Sequence, residues 1–214
     1  MKRNRKSSDN ENDNKNGNEE AGGLYFNKNL RLISISGVIT WSLADEFFNV
    51  FTGFESLSLK KPLTIYINSE GGDVYAMFKI YDHIRNSLLP VVTIVVGCAS
   101  SAGFIIFLAG DLRKALPNAV FGFHAPSIYF CGGGSEGPSE TDESAIHQNR
   151  LLNAVVKIVK NSSNMSEKNI REYFRILTRI DVKTALKFGL VHEIINPPKK
   201  ILPKSWSKIL KEQK

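Results

Sequence analysis

Cysteines and long apolar segments are both scarce in this sequence. Cys98 and Cys131 are the only cysteines among 214 residues, and their separation fits neither a disulfide framework nor a metal site. The longest apolar run, residues 88–99, is too short to cross a bilayer and contains Pro90. These absences argue against a disulfide-stabilised secreted protein and against a membrane protein, so we predict a reducing, cytoplasmic location.

Motifs for cofactors and metals are also missing. The sequence has no G-x-x-x-x-G-K phosphate loop, so any ATP hydrolysis would belong to another chain. His83, His147 and His192 show no metal-ligand spacing with one another. We therefore expect no cofactor and no metal.

The net charge of +7 is concentrated at one end of the chain. From residue 196 onward the sequence contains six lysines and one glutamate, whereas the charges of the five basic and five acidic residues in segment 1–23 cancel. The +5 of the tail leaves only +2 of the +7 for the part between them. This balance argues against a surface that binds nucleic acid.

Composition divides the chain into three parts. Residues 1–23 almost lack apolar side chains, so we predict a disordered extension, and no apolar segment of a secretory signal follows its basic start. Residues 24–195 are predicted to form the folded domain. Residues 196–214 are predicted to be a flexible basic tail, because three prolines interrupt its short apolar stripe.

The folded part alternates between two apolar patterns. Strand patterns occur at residues 30–39, 63–68, 91–96 and 120–123. Helical patterns lie between them near residues 43–54, 74–84 and 102–108, and a longer helix is predicted from about 140 to 161, after a glycine-rich loop at 127–138. This alternation predicts an α/β fold with parallel strands and right-handed crossovers.

Ser101 occupies the turn between a predicted strand and a predicted helix. Its neighbours in residues 97–103 are all small, which would let a peptide backbone come within hydrogen-bond distance of the hydroxyl. A serine on such a turn is typical of a catalytic nucleophile. Small residues also fill any tight strand–helix junction, so this segment alone does not establish catalysis.

Two further features support a catalytic reading. The pair Gly71 and Gly72 ends the preceding strand, where glycines allow backbone N–H groups to point outward as an oxyanion hole requires. His124 follows the next strand and could accept the proton of the serine as a general base. Serine, glycine pair and histidine together favour a serine hydrolase.

These segments resemble the proteolytic subunits of Clp proteases. Residues 97–103 are similar to that family's G-x-A-A-S-M-G motif, and residues 66–72 depart from its Y-I-N-S-P-G-G motif only at Glu70. The family's I-Y-D, L-P-N and closing Y-G-L-V-D patterns are echoed in order at residues 80–82, 116–118 and 188–192. The resemblance covers about residues 24–195.

The resemblance implies a fold and a set of roles. The fold would be the α/β, crotonase-like fold of the Clp peptidases, with repeated strand–helix units and a protruding handle helix. Ser101 would be the nucleophile and His124 the general base. By position in the family motifs, the N–H groups of Gly72 and Ala102 would form the oxyanion hole.

One position departs from the family at the active site. Its third catalytic residue is an aspartate, and counting without gaps from Ile170 to Gly189 puts Leu177 at that place. Glu172 and Asp181 are nearby, but neither matches, and Asp181 is predicted instead to cap a short helix. A serine–histidine dyad could still work at a reduced rate.

The resemblance also implies an assembly. Family members form stacked rings that enclose their active sites and receive unfolded polypeptides from an AAA+ ATPase unfoldase. We therefore expect a serine endopeptidase acting in a homo-oligomeric ring, with neither nucleic acid nor membrane as a partner.

Three alternatives stay open at this stage. The first is a serine–lysine peptidase of the related fold, for which Lys157 is the candidate base. The second is a crotonase-type acyl-CoA enzyme, which Ser101 and His124 argue against. The third is a catalytically weak or inactive ring subunit, which Leu177 favours.

Overall fold

The computed structural model describes residues 23–126, 138–196 and 198. The disorder predicted for residues 1–23, the glycine-rich loop at 127–138 and the basic tail fall almost entirely outside these ranges. In chain order the elements are β1 (Gly23–Asn27), β2 (Leu32–Ile39), α1 (Trp41–Leu57), β3 (Leu63–Gly72), α2 (Val74–Asn86), β4 (Val91–Ser100), α3 (Ala102–Leu108), β5 (Leu112–Ala115), β6 (Val120–Gly122), α4 (Pro138–Asn161), α5 (Glu167–Arg175), β7 (Arg179–Asp181), α6 (Val182–Lys187) and β8 (Glu193–Ile194).

A mostly parallel sheet forms the centre of the fold. Strands β2, β3, β4, β5 and β8 pair in that order and run parallel, while β1 pairs antiparallel with β2. The first half of β4 pairs with β5, and its last residues pair with β6, which pairs antiparallel with β7. The carboxyl end of β4 therefore lies between β3 and β6.

Local sequence explains where the helices begin. Thr40 accepts a hydrogen bond from the Leu43 backbone at the start of α1, and Asp73 accepts two at the start of α2. Such side-chain caps satisfy backbone donors that have no partner within the helix. The Asp73 cap fixes the direction in which the chain leaves the glycine pair of β3.

Helix α3 lies in the core along its whole length, because all seven of its residues are buried. Phe104 packs against Phe123 with ring centroids 4.8 Å apart, and Phe123 also contacts Phe174 at 5.5 Å. Truncating a buried phenylalanine to alanine typically costs about 3–5 kcal/mol of stability. The chain on both sides of the predicted active site is therefore held by the aromatic core.

A buried guanidinium attaches the C-terminal part of the domain to the sheet. Arg113 on β5 donates hydrogen bonds to the carbonyls of Leu190 at 2.7 Å and of Ser162 and Gly189 at 3.0 Å. Burial lowers the pKa of Arg113 from its usual range. Because the group is buried, these carbonyls supply the hydrogen bonds that water would otherwise provide.

The predicted α/β architecture is confirmed. Strands β3 and β4 each extend four residues beyond the predicted ends and reach the glycine pair and the serine turn, and α4 begins at Pro138 rather than near 140. The short strands β1, β5, β7 and β8 and the helix α5 were not predicted. In the described part of the chain, no helix is long and apolar enough to span a membrane.

Candidate active site

Ser101 lies in a strained turn directly after β4. Its backbone has φ of 50° and ψ of −122°, a conformation that costs a non-glycine residue roughly 1–3 kcal/mol. The turn is held because Ser101 N donates to Gly122 O at 3.0 Å, while Ser101 O accepts from the backbone of Phe104 and Ile105. The Ser101 side chain makes no capping hydrogen bond to α3, so its hydroxyl remains available to a substrate.

Glycine is required at both positions of the pair that ends β3, because the chain there lies too close to neighbouring segments to admit a side chain. A Cβ atom at Gly71 would lie 2.7 Å from Ser101 Cβ, and one at Gly72 would lie 2.2 Å from Ile39 O. Both residues also have positive φ, at 117° and 151°. Only glycine fits these two positions without displacing the serine turn or β2.

His124 follows β6, the strand that pairs with the end of β4. Ser100 on β4 lies opposite Gly122 on β6, and the two strands are parallel. Ser101 and His124, which follow these strands, therefore lie at the same edge of the sheet. Both residues line one cleft of about 380 Å³, together with Gly72 and Ala102. Among the described residues, no hydrogen bond joins the Ser101 hydroxyl to the His124 ring. Such bonds often form only when substrate binds.

Leu177 also lines this cleft. The segment that carries Leu177 is bonded to the chain next to His124, since Phe123 N donates to Thr178 O at 2.8 Å. Leu177 is 58% exposed and has a positive φ of 53°. An apolar side chain thus lies beside His124, at a site where it can neither accept a hydrogen bond nor stabilise a positive charge on the ring.

The two nearby carboxylates are engaged elsewhere. Asp181 accepts from Thr184 N at 2.8 Å and caps α6, which confirms its predicted capping role, and this contact with Thr184 lowers the pKa of Asp181. Glu172 forms two hydrogen bonds with Arg175, which lower its pKa. Neither residue lines the cleft.

Other groups near the cleft offer no competing chemistry. Burial, together with the carboxylate of Glu70, raises the pKa of the Cys98 thiol to about 11, so this thiol stays protonated near neutral pH. Lys157 is exposed on α4 and does not line the cleft, which removes support for the serine–lysine alternative. In the part of the chain that the structure describes, no group of histidine, cysteine or acidic residues could hold a metal ion.

Helix α4 closes one side of the cleft. Val155 contributes to the cleft wall, and the helix is fixed by a 2.5 Å hydrogen bond between His147 Nε2 and Tyr75 Oη at the start of α2. Gln148 also donates to the carbonyl of Pro126, close to His124. These contacts between distant segments of the chain were not predicted, because nothing in the local sequence around residue 147 indicates a partner in α2.

A serine in a strained strand–helix turn, a histidine shortly after the adjoining strand and a close-packed glycine pair are together typical of a serine hydrolase with an α/β fold. A family model described as Clp protease matches residues 24–198. A similar protein is the ATP-dependent Clp protease proteolytic subunit 2 of Borreliella burgdorferi, 35% identical over 77% of this chain and 82% of that protein. The proteolytic subunit of Streptococcus mutans is 32% identical over 77% and 84%.

A solved structure is similar as well. A single-residue mutant of ClpP1 from Listeria monocytogenes superimposes with a TM-score of 0.69 and 28% identity, over 79% of this chain and 93% of that one. The chain therefore belongs to the Clp protease family, whose members are serine endopeptidases. The family resemblance and the fold class predicted from the sequence are both confirmed.

The close contact between Gly71 and the serine turn gives a direct test of the geometry. Gly71→Ala should lower peptidase activity by roughly 100-fold or more, because the new methyl group displaces Ser101 from its position. Activity should be measured with a small fluorogenic peptide, alongside the melting temperature.

Gly53→Ala is the matched control, since a Cβ atom there meets nothing within 4 Å. It should keep full activity and raise stability by about 0.5–1 kcal/mol, as expected inside a helix. Full activity in Gly71→Ala would contradict the described turn.

Proposed function

We propose that this chain hydrolyses peptide bonds with Ser101 as nucleophile and His124 as general base. The observation that carries the proposal is that Gly72, the adjacent pair Ser101 and Ala102, and His124 line one cleft although they come from three separate segments of the chain. A strained serine turn that the surrounding backbone holds in place is typical of a nucleophile.

In the proposed reaction, the Ser101 hydroxyl oxygen attacks the carbonyl carbon of the peptide while its proton passes to His124. The N–H groups of Gly72 and Ala102 donate to the oxygen on which negative charge develops. The His124 imidazolium then gives its proton to the leaving amine, and an ester to Ser101 remains. Water, activated by His124, hydrolyses this ester and restores both side chains.

Leu177 limits this reaction. In a complete triad a carboxylate holds the histidine in the correct tautomer and stabilises its charged form, and losing that group can cost about 10⁴-fold in rate. With Leu177 at this place, we expect a slow Ser101–His124 dyad.

Labelling with a fluorophosphonate probe tests the nucleophile. The wild-type protein should become labelled, whereas Ser101→Ala should lose labelling and peptide cleavage. Ser100→Ala is the matched control, because the Ser100 hydroxyl is buried without a hydrogen-bond partner in the described structure. Its removal should leave activity nearly unchanged. Labelling that persists in Ser101→Ala and vanishes in Ser100→Ala would refute the assignment.

A second test restores the missing carboxylate. Leu177→Asp should raise kcat for a small peptide about ten-fold or more. The backbone already suits the change, since aspartate and asparagine tolerate positive φ better than leucine does.

Leu177→Asn is the control for this variant. It relieves the same backbone strain but supplies no negative charge, so it should not reproduce the gain. An unlabelled wild-type protein that becomes active only as Leu177→Asp would identify the chain as a non-catalytic ring subunit. Equal, low rates in all three proteins would refute the role given to position 177.

We further propose that the chain assembles into stacked homo-oligomeric rings in the cytoplasm and receives unfolded polypeptides from an AAA+ unfoldase. Supporting this, Trp41 and Phe48 on α1 and Tyr75 on α2 are 52%, 43% and 41% exposed, which suits burial against another copy. The relatives described above carry the words ATP-dependent in their names.

Light scattering should therefore find a ring-sized oligomer at micromolar concentration. This oligomer should cleave small peptides but leave folded proteins intact until a cognate ATPase and ATP are added, because a folded protein cannot enter an enclosed chamber. A monomer that degrades folded proteins by itself would refute the proposed assembly.

A further inference from the structure

An ion pair joins two walls of the cleft beside Ser101. Glu70 lies near the end of β3, immediately before the glycine pair, and Arg179 is the first residue of β7. Arg179 Nη2 lies 3.3 Å from Glu70 Oε2, and both side chains line the cleft that contains Ser101 and His124.

The register of the sheet explains how residues 109 positions apart meet. Ser69 pairs with Ala99, Ser100 with Gly122, and Gly122 with Arg179. Glu70 and Ser100 directly follow the pair Ser69 and Ala99 on the parallel strands β3 and β4, so they lie side by side. Glu70 and Arg179 therefore occupy the outer places of one row of residues across the sheet, and Ser100 and Gly122 occupy the inner places. Because both inner residues are small, the long outer side chains can meet next to the serine turn.

Stability does not account for this pair. The Arg179 and Glu70 side chains are 68% and 69% exposed, and ion pairs at such exposure contribute little to folding. Arg113 is the contrasting case, since its buried guanidinium holds the C-terminal part of the domain in place. The location of Glu70 and Arg179 in the cleft points to a role toward the substrate.

The remainder of the cleft wall is largely apolar. Glu70 and Arg179 are the charged side chains among its described lining residues, apart from His124 when that ring is protonated. The apolar lining residues include Val74, Met77, Ile105, Phe174 and Leu177. A peptide side chain that enters the cleft thus meets apolar surface and one internally neutralised pair of charges.

We propose that Glu70 and Arg179 are specificity-determining residues, which by neutralising each other keep the cleft selective for uncharged peptide side chains near the scissile bond. A lysine of the substrate that approaches Glu70 also approaches Arg179, so attraction and repulsion nearly cancel while its desolvation remains unfavourable. An acidic side chain meets the same balance with the signs exchanged. This inference rests on the proposed function of the cleft as the peptidase site.

The test uses fluorogenic peptides that differ at one residue next to the scissile bond, namely norleucine, lysine or glutamate. Arg179→Gln removes the cationic partner of the Glu70 carboxylate, so the ratio of kcat/KM for the lysine peptide over the glutamate peptide should rise about two- to five-fold. Glu70→Gln frees Arg179 and should shift the same ratio by a similar factor in the opposite direction. Both shifts should shrink at about 1 M salt.

The double variant Glu70→Gln/Arg179→Gln should return the ratio to near the wild-type value, because both charges are removed together. Glu172→Gln and Arg175→Gln are matched controls, since they break a similarly exposed ion pair outside the cleft. These controls should leave the ratio unchanged. Equal ratios in the wild type and in both single variants at position 70 or 179 would overturn the inference.

Binding separates this inference from the proposed function. The same peptides, labelled for fluorescence anisotropy, are titrated against each variant in a Ser101→Ala background. If the wild type cleaves nothing, but the binding ratios shift in opposite directions in Arg179→Gln and Glu70→Gln, the proposed catalysis fails while the charge selectivity inferred for the cleft stands. If no peptide binds, or binding ignores both substitutions, the inference is overturned.

Discussion

The close approach of the β3 backbone to the Ser101 turn is the contact on which the rest of the site depends. Gly71 leaves no space for a side chain against Ser101, and Gly72 leaves none against Ile39. Strand β3 is thereby packed between β2 and the turn, with its end facing the cleft. The position of Ser101, the path of α2 away from the Asp73 cap and the placement of Glu70 all follow from this packing.

The strain at Ser101 is sustained by the surrounding structure. A positive φ in a serine persists only where other contacts hold the backbone, and here they include the bond from Ser101 N to Gly122 O and a fully buried helix α3. Those contacts join Ser101 to β6, the strand that ends two residues before His124. Thr178, the residue after Leu177, is bonded to Phe123, the residue before His124, so one hydrogen-bonded frame holds the segments that carry Ser101, His124 and Leu177.

The main features of the fold and the cleft were accessible from the sequence because they depend on local patterns. The small residues at 97–103, the glycine pair and the alternating apolar runs each specify a backbone conformation on their own, and counting along a family motif was enough to place Leu177 in the cleft. The remaining features depend on tertiary pairing. Strands β5, β7 and β8 have only two to four residues, and the partner of Glu70 lies 109 residues away.

The pairing of β6 with β7 has a consequence for synthesis of the protein. Gly122 is paired with Arg179, and Phe123 is bonded to Thr178, so the wall beside His124 comes from a segment translated more than fifty residues later. A nascent chain that has already released Ser101 and His124 from the ribosome still lacks that wall. The proposed active-site cleft is therefore completed only after most of the domain has been translated, and the segment that completes it is among the last parts of the domain to be made.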